Sequence, residues 1–307
     1  MNQILIKLAR KLRRFLAEFF GVSKQELSLA SRPAKAESDD FNGRFRDIVS
    51  DPINLLIDRH PLAGQVVDGH VVLHNGIQVP ATGPYAYYGS FSDILIINRG
   101  VHEPLEEYVF QQVLSRLPSR PVMLELGAYW GHYSMWCQKL RPEARNILIE
   151  PLAENLEAAR RNFAHNHLTG EMIESFVGVG KFAVDDFVAK VALQKIDILH
   201  SDIQGFELEM LKGAEKTIEA RQVDYVFVST HSRSLHASCG QFLKKRGYRI
   251  EVDSDFGTET TSSDGLIFAT SPSVAAVFKD FSPLGRLQIA ESNSQQLYDY
   301  LGTVLKR

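Results

Sequence analysis

The stretch VMLELGAYWGHYS, residues 122–134, sets Glu125, Gly127, Tyr129 and Gly131 on alternate positions behind a mostly apolar run. It reads as a strand entering a ligand-binding loop. In a dinucleotide-binding turn the middle glycine lets the backbone approach a pyrophosphate. Here Tyr129 holds the middle position, and its bulk disfavours that contact. The outer glycines still allow a sharp turn and close helix–strand packing. Glu125, at the strand end, repels phosphate but suits a ligand that is cationic or rich in hydroxyls. S-adenosylmethionine has an ammonium, a sulfonium and a ribose, and no phosphate.

Two further strand ends carry acids. NILIEP ends its strand on Glu150, 25 residues after Glu125, where a carboxylate can accept both hydroxyls of a ribose. In IDILHSDIQGFELEMLKGA, residues 196–214, an apolar strand runs to Asp202 and Gly205 turns the chain into a helix. Glu207 falls in that helix's first turn, where its charge suits the dipole. An acid at a strand tip beside a tight turn suggests the edge of an active site.

The elements that must position these residues follow from periodicity. Apolar strand candidates lie at 122–126, 146–150, 173–177, 196–201, 224–229, 248–252 and 265–269, and helical stretches fill most gaps. HEPLEEYVFQQVLSRL is amphipathic, with Pro104 suited to a first turn. Strands alternating with helices imply an α/β fold with a parallel sheet covered on both faces, and ligands of such sheets bind beyond the carboxyl ends of the strands.

Ahead of this region, GQVVDGHVVLHNGIQVP carries D-G and N-G pairs between Val/Ile-rich runs, predicting short hairpin strands. His70 and His74 read as half-exposed strand residues, with a ligand pair as the sharper alternative. Residues 31–45 read as a polar linker. Residues 1–20 form a basic amphipathic helix, with Lys7, Arg10, Lys11, Arg13 and Arg14 among leucines and phenylalanines. Such a helix docks on its own protein, self-associates, or lies on anionic membrane.

The chain has 307 residues, 44% of them hydrophobic, and a formal net charge of -3, which gives no reason to expect a nucleic-acid partner. Cys137 and Cys239 form neither a disulfide framework nor a zinc spacing, so a reduced cytoplasmic setting, with peripheral membrane contact as an option, is the expectation. No apolar run approaches the roughly 18 residues of a membrane span.

Segment 101–270 resembles the FkbM-type family of S-adenosylmethionine-dependent methyltransferases. The carriers are HEP, LELGAYWGHYS, LIEPLAENLEAARRN, VDDF, SDIQGFELEMLKGA and STHS, in the family's order. The resemblance implies a class I, Rossmann-like methyltransferase fold: a mainly parallel seven-stranded sheet with a reversed final strand. It implies a cofactor set of Glu125, Gly127, Ala128, Tyr129, Gly131, Ser134, Glu150 and Asp202. The loop would wrap the methionine end, Glu150 would hold the ribose, and Asp202 would line the cleft where donor and acceptor meet. Tyr129, Gln204 and His200 stand where relatives usually have asparagine, glutamate and lysine. Hydroxyl acceptors such as sugars, glycans or secondary metabolites are also implied.

Methyl transfer to a hydroxyl needs alignment and a base near the donor. His231, after the apolar strand VDYVFVS, is the first candidate, with Asp202 orienting it and His200 next in line. His132 reads as a packing or solvent residue. Asp202 and His231 could instead hold a divalent cation, for which spacing names no third ligand. The expected organisation is an appendage over 1–99, the methyltransferase domain over 100–272 and a C-terminal helical extension over 273–307. The rivals are a nicotinamide-dependent oxidoreductase and a non-catalytic docking protein that keeps the fold.

Overall fold

The computed structural model describes residues 41–87, 92–178, 180–256, 260–261 and 264–305. The basic helix expected over 1–20 lies outside them, as does the linker up to residue 40. Residues 41–45, expected as linker, instead open helix α1 (Phe41–Ser50). Tertiary contacts hold that helix: Ile48 is buried, and Asp47 is 3.0 Å from the Arg286 guanidinium.

A 3-10 turn (Pro52–Leu56) leads to a three-stranded antiparallel sheet, β1 (Val66–Val67), β2 (His70–Val72) and β3 (Gln78–Pro80). The predicted D-G turn joins the first two strands with Asp68 and Gly69 both at positive φ, the backbone that matches strand twist in a hairpin. His70 and His74 do not converge. His70 stacks on His165 with ring centroids 3.8 Å apart. His74 turns inward, with Nε2 2.9 Å from Glu107.

Helices α2 (Asp93–Ile97) and α3 (Pro104–Leu114) precede the main sheet, and Pro104 begins α3 as expected. The α/β region then runs β4 (Val122–Leu126), α4 (His132–Leu140), β5 (Arg145–Glu150), α5 (Ala153–His165), β6 (Glu171–Glu174), α6 (Val184–Lys190) and β7 (Ile196–Ser201). It continues with α7 (Glu207–Lys212), α8 (Glu215–Glu219), β8 (Val223–Thr230), α9 (Arg233–Lys245), β9 (Arg249–Ser254) and β10 (Gly265–Thr270). Helices α10 (Arg286–Glu291) and α11 (Ser294–Leu305) follow.

The seven strands lie in the order β6-β5-β4-β7-β8-β10-β9. Six run in one direction, and β10 alone is reversed, antiparallel to both of its neighbours. This is the class I methyltransferase, Rossmann-like sheet. Strand β6 lies earlier than the expected 173–177. Its pairing ends at Glu174 because its partner β5 ends at Glu150.

Alternation sends successive side chains to opposite faces. Met123, Leu148, Ile198 and Phe227 join one core, which also takes in Val71, Ile77 and Val79 of the N-terminal sheet region. Leu124, Ile149, Leu199 and Val226 join the other, under α6, α7 and α9. Each such fully buried side chain contributes about 1.5–3 kcal/mol. By the same parity Glu125 and His200, paired across β4 and β7, share the face of Met123 and Ile198.

Candidate active site

A cleft opens beyond the carboxyl ends of β4 and β7, where the order of winding reverses. Its walls are Glu125 near the end of β4, Gly127, Ala128 and Tyr129 from the loop that follows, and Asp202 and Gln204 after β7. Arg44, Tyr87 and Glu103 close it from the N-terminal side, and Asp264 from the segment before β10. His200 and His132 also reach its surface.

The loop is held by backbone geometry. Gly127 and Gly131 both adopt positive φ, and a β-carbon on Gly131 would come 2.8 Å from the Phe163 ring. Tyr129 lies at φ +46°, an uncommon conformation for a bulky residue. The amides of Gly127 and Ala128 donate to the Ile149 carbonyl at 2.8 and 3.1 Å. Tyr129 N donates to Glu150 at 2.9 Å, and Leu152 N and Asn155 Nδ2 donate to the other oxygen of the same carboxylate.

Of the expected cofactor set, Glu125, Gly127, Ala128, Tyr129 and Asp202 line the cleft. Gly131, Ser134 and Glu150 do not. Ser134 is fully buried, and its amide donates to Glu125 at 3.0 Å. That bond caps the first turn of α4. Glu150, 4% exposed, staples the loop to β5, leaving about one of its four lone-pair directions for a ligand.

The catalytic candidates separate. His200 is buried under the cleft, with Nε2 2.6 Å from Glu106, which also accepts from Ser229. Burial opposes its charge, but the Glu106 bond and charge outweigh it and raise its pKa. Asp202 and His231 do converge. His231 Nε2 is 3.3 Å from Asp202 and 3.2 Å from Asp264, while Nδ1 contacts Glu207 at 2.8 Å.

Burial disfavours the imidazolium of His231, yet Asp264, Asp202 and Glu207 together raise its pKa well above the usual histidine value. The three carboxylates thus favour the protonated ring, where a neutral imidazole was expected. Burial also works against ionisation of Asp202, but the adjoining His231 ring holds its carboxyl below the ordinary range. Burial lifts Asp264 to about 6 and Glu103 to about 7, against the charges of His231 and His102 respectively. Burial raises Glu125 as well. His132 is a packing residue as read, 2% exposed and stacked on Trp130, and burial drives its pKa far down.

Sequence patterning does not bring Arg44, Tyr87, Glu103 or Asp264 to this site, and it leaves Glu207 with a helix-dipole role alone. Arg44 donates to the Tyr87 hydroxyl at 2.9 Å, and Tyr133 donates to Glu103 at 3.0 Å. The HEP motif already contains Glu103, and Asp264 directly precedes the last strand. Those were the available signals.

Comparison with known proteins bears out the FkbM resemblance. Residues 175–250 match the methyltransferase FkbM domain. A protein of Jannaschia sp. (strain CCS1) named "Putative methyltransferase" is 29% identical over 133 residues, 41% of this chain and 42% of that protein. The match thus spans less than half of that relative's length. Among solved structures, precorrin-6y C5,15-methyltransferase from Geobacter metallireducens GS-15 has a TM-score of 0.40 at 18% identity, covering 54% of this chain and 88% of its own. M. capricolum TrmK, in complex with S-adenosyl-homocysteine, has a TM-score of 0.38 at 14% identity, covering 64% and 81%. The fold assignment rests on the sheet order and not on these overlays.

Proposed function

We propose that the protein is an S-adenosylmethionine-dependent O-methyltransferase acting on a hydroxyl of a sugar, glycan or secondary metabolite. One observation carries the reading. Glu103, Glu125, Asp202 and Asp264 converge on a cleft at the carboxyl ends of the parallel strands, with Arg44 the one arginine or lysine among the described lining residues. Such a cleft favours a ligand bearing an ammonium and a sulfonium over one bearing phosphates. Tyr129 on the cleft wall, where a pyrophosphate would need a glycine, argues against the nicotinamide alternative.

The cofactor supplies an activated methyl group, and the chain supplies alignment and a base. His231, which three carboxylates bias toward its protonated form, is not assigned that role. Glu103, whose carboxyl is lifted to about 7 and which lines the same cleft, has the poise a general base needs near neutral pH. It takes the acceptor proton as the oxygen attacks the methyl carbon. The carbon–sulfur bond breaks, and the sulfonium leaves as a neutral thioether. His231 and Asp202 orient the acceptor or the ammonium, and residues 1–20 supply a contact with membrane or with a second copy.

Equilibrium titration tests the reading. S-adenosylmethionine and S-adenosylhomocysteine bind and NAD does not. Binding of NAD alone transfers the fold to a hydride-transfer function, and binding of none of the three leaves a docking protein.

A further inference from the structure

Three residues from three separate loops meet at one edge of the cleft. Asp202 follows β7 and His231 follows β8, two parallel strands paired side by side. Strand β10 runs the other way, and its first residue, Gly265, pairs with Thr230 at the end of β8. That reversal brings Asp264, just ahead of β10, to the same edge as His231. One ligand atom from each of the three residues lies within 4.8 Å of the others.

The spacing suits a single ion. Ligands about 2.1 Å from a small divalent cation stand about 3 Å apart at right angles. The imidazole Nε2 lies 3.3 Å from Oδ1 of Asp202 and 3.2 Å from Oδ1 of Asp264. This nitrogen belongs to a ring only 7% exposed, yet no hydrogen bond reaches it among the described residues. It points between two carboxylate oxygens without proper hydrogen-bond geometry to either.

The opposite ring nitrogen is already fixed. Glu207, fully buried, contacts His231 Nδ1 at 2.8 Å and also accepts from Gly205 N at 2.9 Å. A carboxylate behind a histidine in this way holds the Nδ1 proton and presents Nε2 to the ligand side, as the outer partners of metal-bound histidines do, and a bound cation replaces the Nε2 proton that the carboxylates otherwise favour.

We propose that Asp202, His231 and Asp264 bind one divalent cation at the acceptor side of the cleft. One imidazole and two carboxylates, with open positions for water or substrate, match manganese(II) or magnesium better than a thiol-seeking ion. The third ligand, Asp264, is the one spacing could not name. The role of the ion rests on the methyl-transfer reading: bound to the acceptor oxygen, it lowers the hydroxyl pKa and holds the oxygen in line with the methyl group. Binding itself does not depend on that reading.

The test is titration of the full chain with Mn²⁺, without cofactor, following free Mn²⁺ by electron paramagnetic resonance. The wild type takes up one equivalent. Asp264→Asn and Asp202→Asn each weaken uptake at least about tenfold, and Glu207→Gln, which does not itself touch the ion, weakens it about 10–100-fold. Thermal unfolding of each variant establishes that it is folded, and Mg²⁺ competes for the same equivalent. No uptake by the wild type, or equal uptake by folded Asp264→Asn, overturns the site. A parallel titration with S-adenosylhomocysteine separates the two readings. Cofactor binding without Mn²⁺ uptake removes the cation alone, and Mn²⁺ uptake without cofactor binding removes the methyltransferase reading alone.

Discussion

A β-carbon on Gly127 would lie 1.8 Å from the carbonyl oxygen of Asp202, so the loops after β4 and β7 meet through backbone alone. Asp202 N donates to the Leu126 carbonyl at 2.9 Å just below this contact. Gly127→Ala therefore forces the two strand ends apart and also strains a residue at φ +77°. The expected cost is about 1–3 kcal/mol of stability for overpacking, with further strain from the left-handed backbone. Calorimetry should show a lowered Tm together with loss of S-adenosylhomocysteine binding. A normal Tm and normal affinity would contradict the contact.

Glu150 acts on the same loop from below. Its carboxylate gathers three donors, including Tyr129 N, and each hydrogen bond to a charged group is worth about 1.5–3 kcal/mol. Glu150→Ala should weaken S-adenosylhomocysteine binding at least about tenfold by isothermal titration, whether the residue holds the loop, the ribose or both. Analogues lacking ribose hydroxyls separate those roles. If the wild type discriminates against them and the variant does not, the contact with ribose is direct.

Proton removal supplies a third prediction. Glu103→Gln should lower turnover by about 10²–10⁴-fold, the usual loss for a general base, with cofactor affinity little changed. With its carboxyl at about 7, the wild-type rate should climb with pH through neutrality and level off above it. A flat profile from pH 5 to 9, or unimpaired turnover in the variant, would move the role elsewhere.

Stability should carry a pH signature from Asp51, which is 5% exposed and hydrogen-bonded to Thr261 and Ile53. Burial raises its carboxyl from 3.8 to about 6, against the opposing pull of those two bonds. The folded state thus holds a proton that the unfolded chain releases between these values. This contribution is complete below about 3.8 and is lost as pH rises to about 6. Stability relative to Asp51→Asn should fall by about 3 kcal/mol across that window, measured by urea unfolding at each pH.

The interleaved basic and apolar side chains of residues 1–20 predict sedimentation with anionic liposomes that weakens with salt and disappears on deleting those residues. Equal behaviour with neutral liposomes would favour packing or self-association.

How much of this was legible in the sequence depends on how local each signal is. The β4 loop was readable because a turn of that kind needs its glycines in one short stretch. The reversed last strand and the N-terminal hairpin were legible for similar reasons, through family likeness and through Asp68-Gly69. Ser134 lies off the cleft wall, and its amide reaches Glu125 from the first turn of α4, a placement that spacing alone does not give. His74 is buried just past β2 and not a half-exposed strand residue as expected, because its partner Glu107 lies on α3, far along the chain. The charge state of His231 was beyond spacing altogether. It depends on Asp264 and Glu207, which only the sheet order brings to the same histidine.

Arg44 and Asp264 are 220 residues apart in sequence, yet both line one cleft. A ribosome has to release nearly all of the described sheet before that cavity can exist. Residues 100–250 alone, though they contain the glycine loop and both strand-tip acids, would lack Arg44 and Tyr87 on one side and Asp264 on the other. Binding competence is thus a readout of completed folding. A partly made or clipped chain would have no finished pocket with which to capture and misuse an alkylating cofactor.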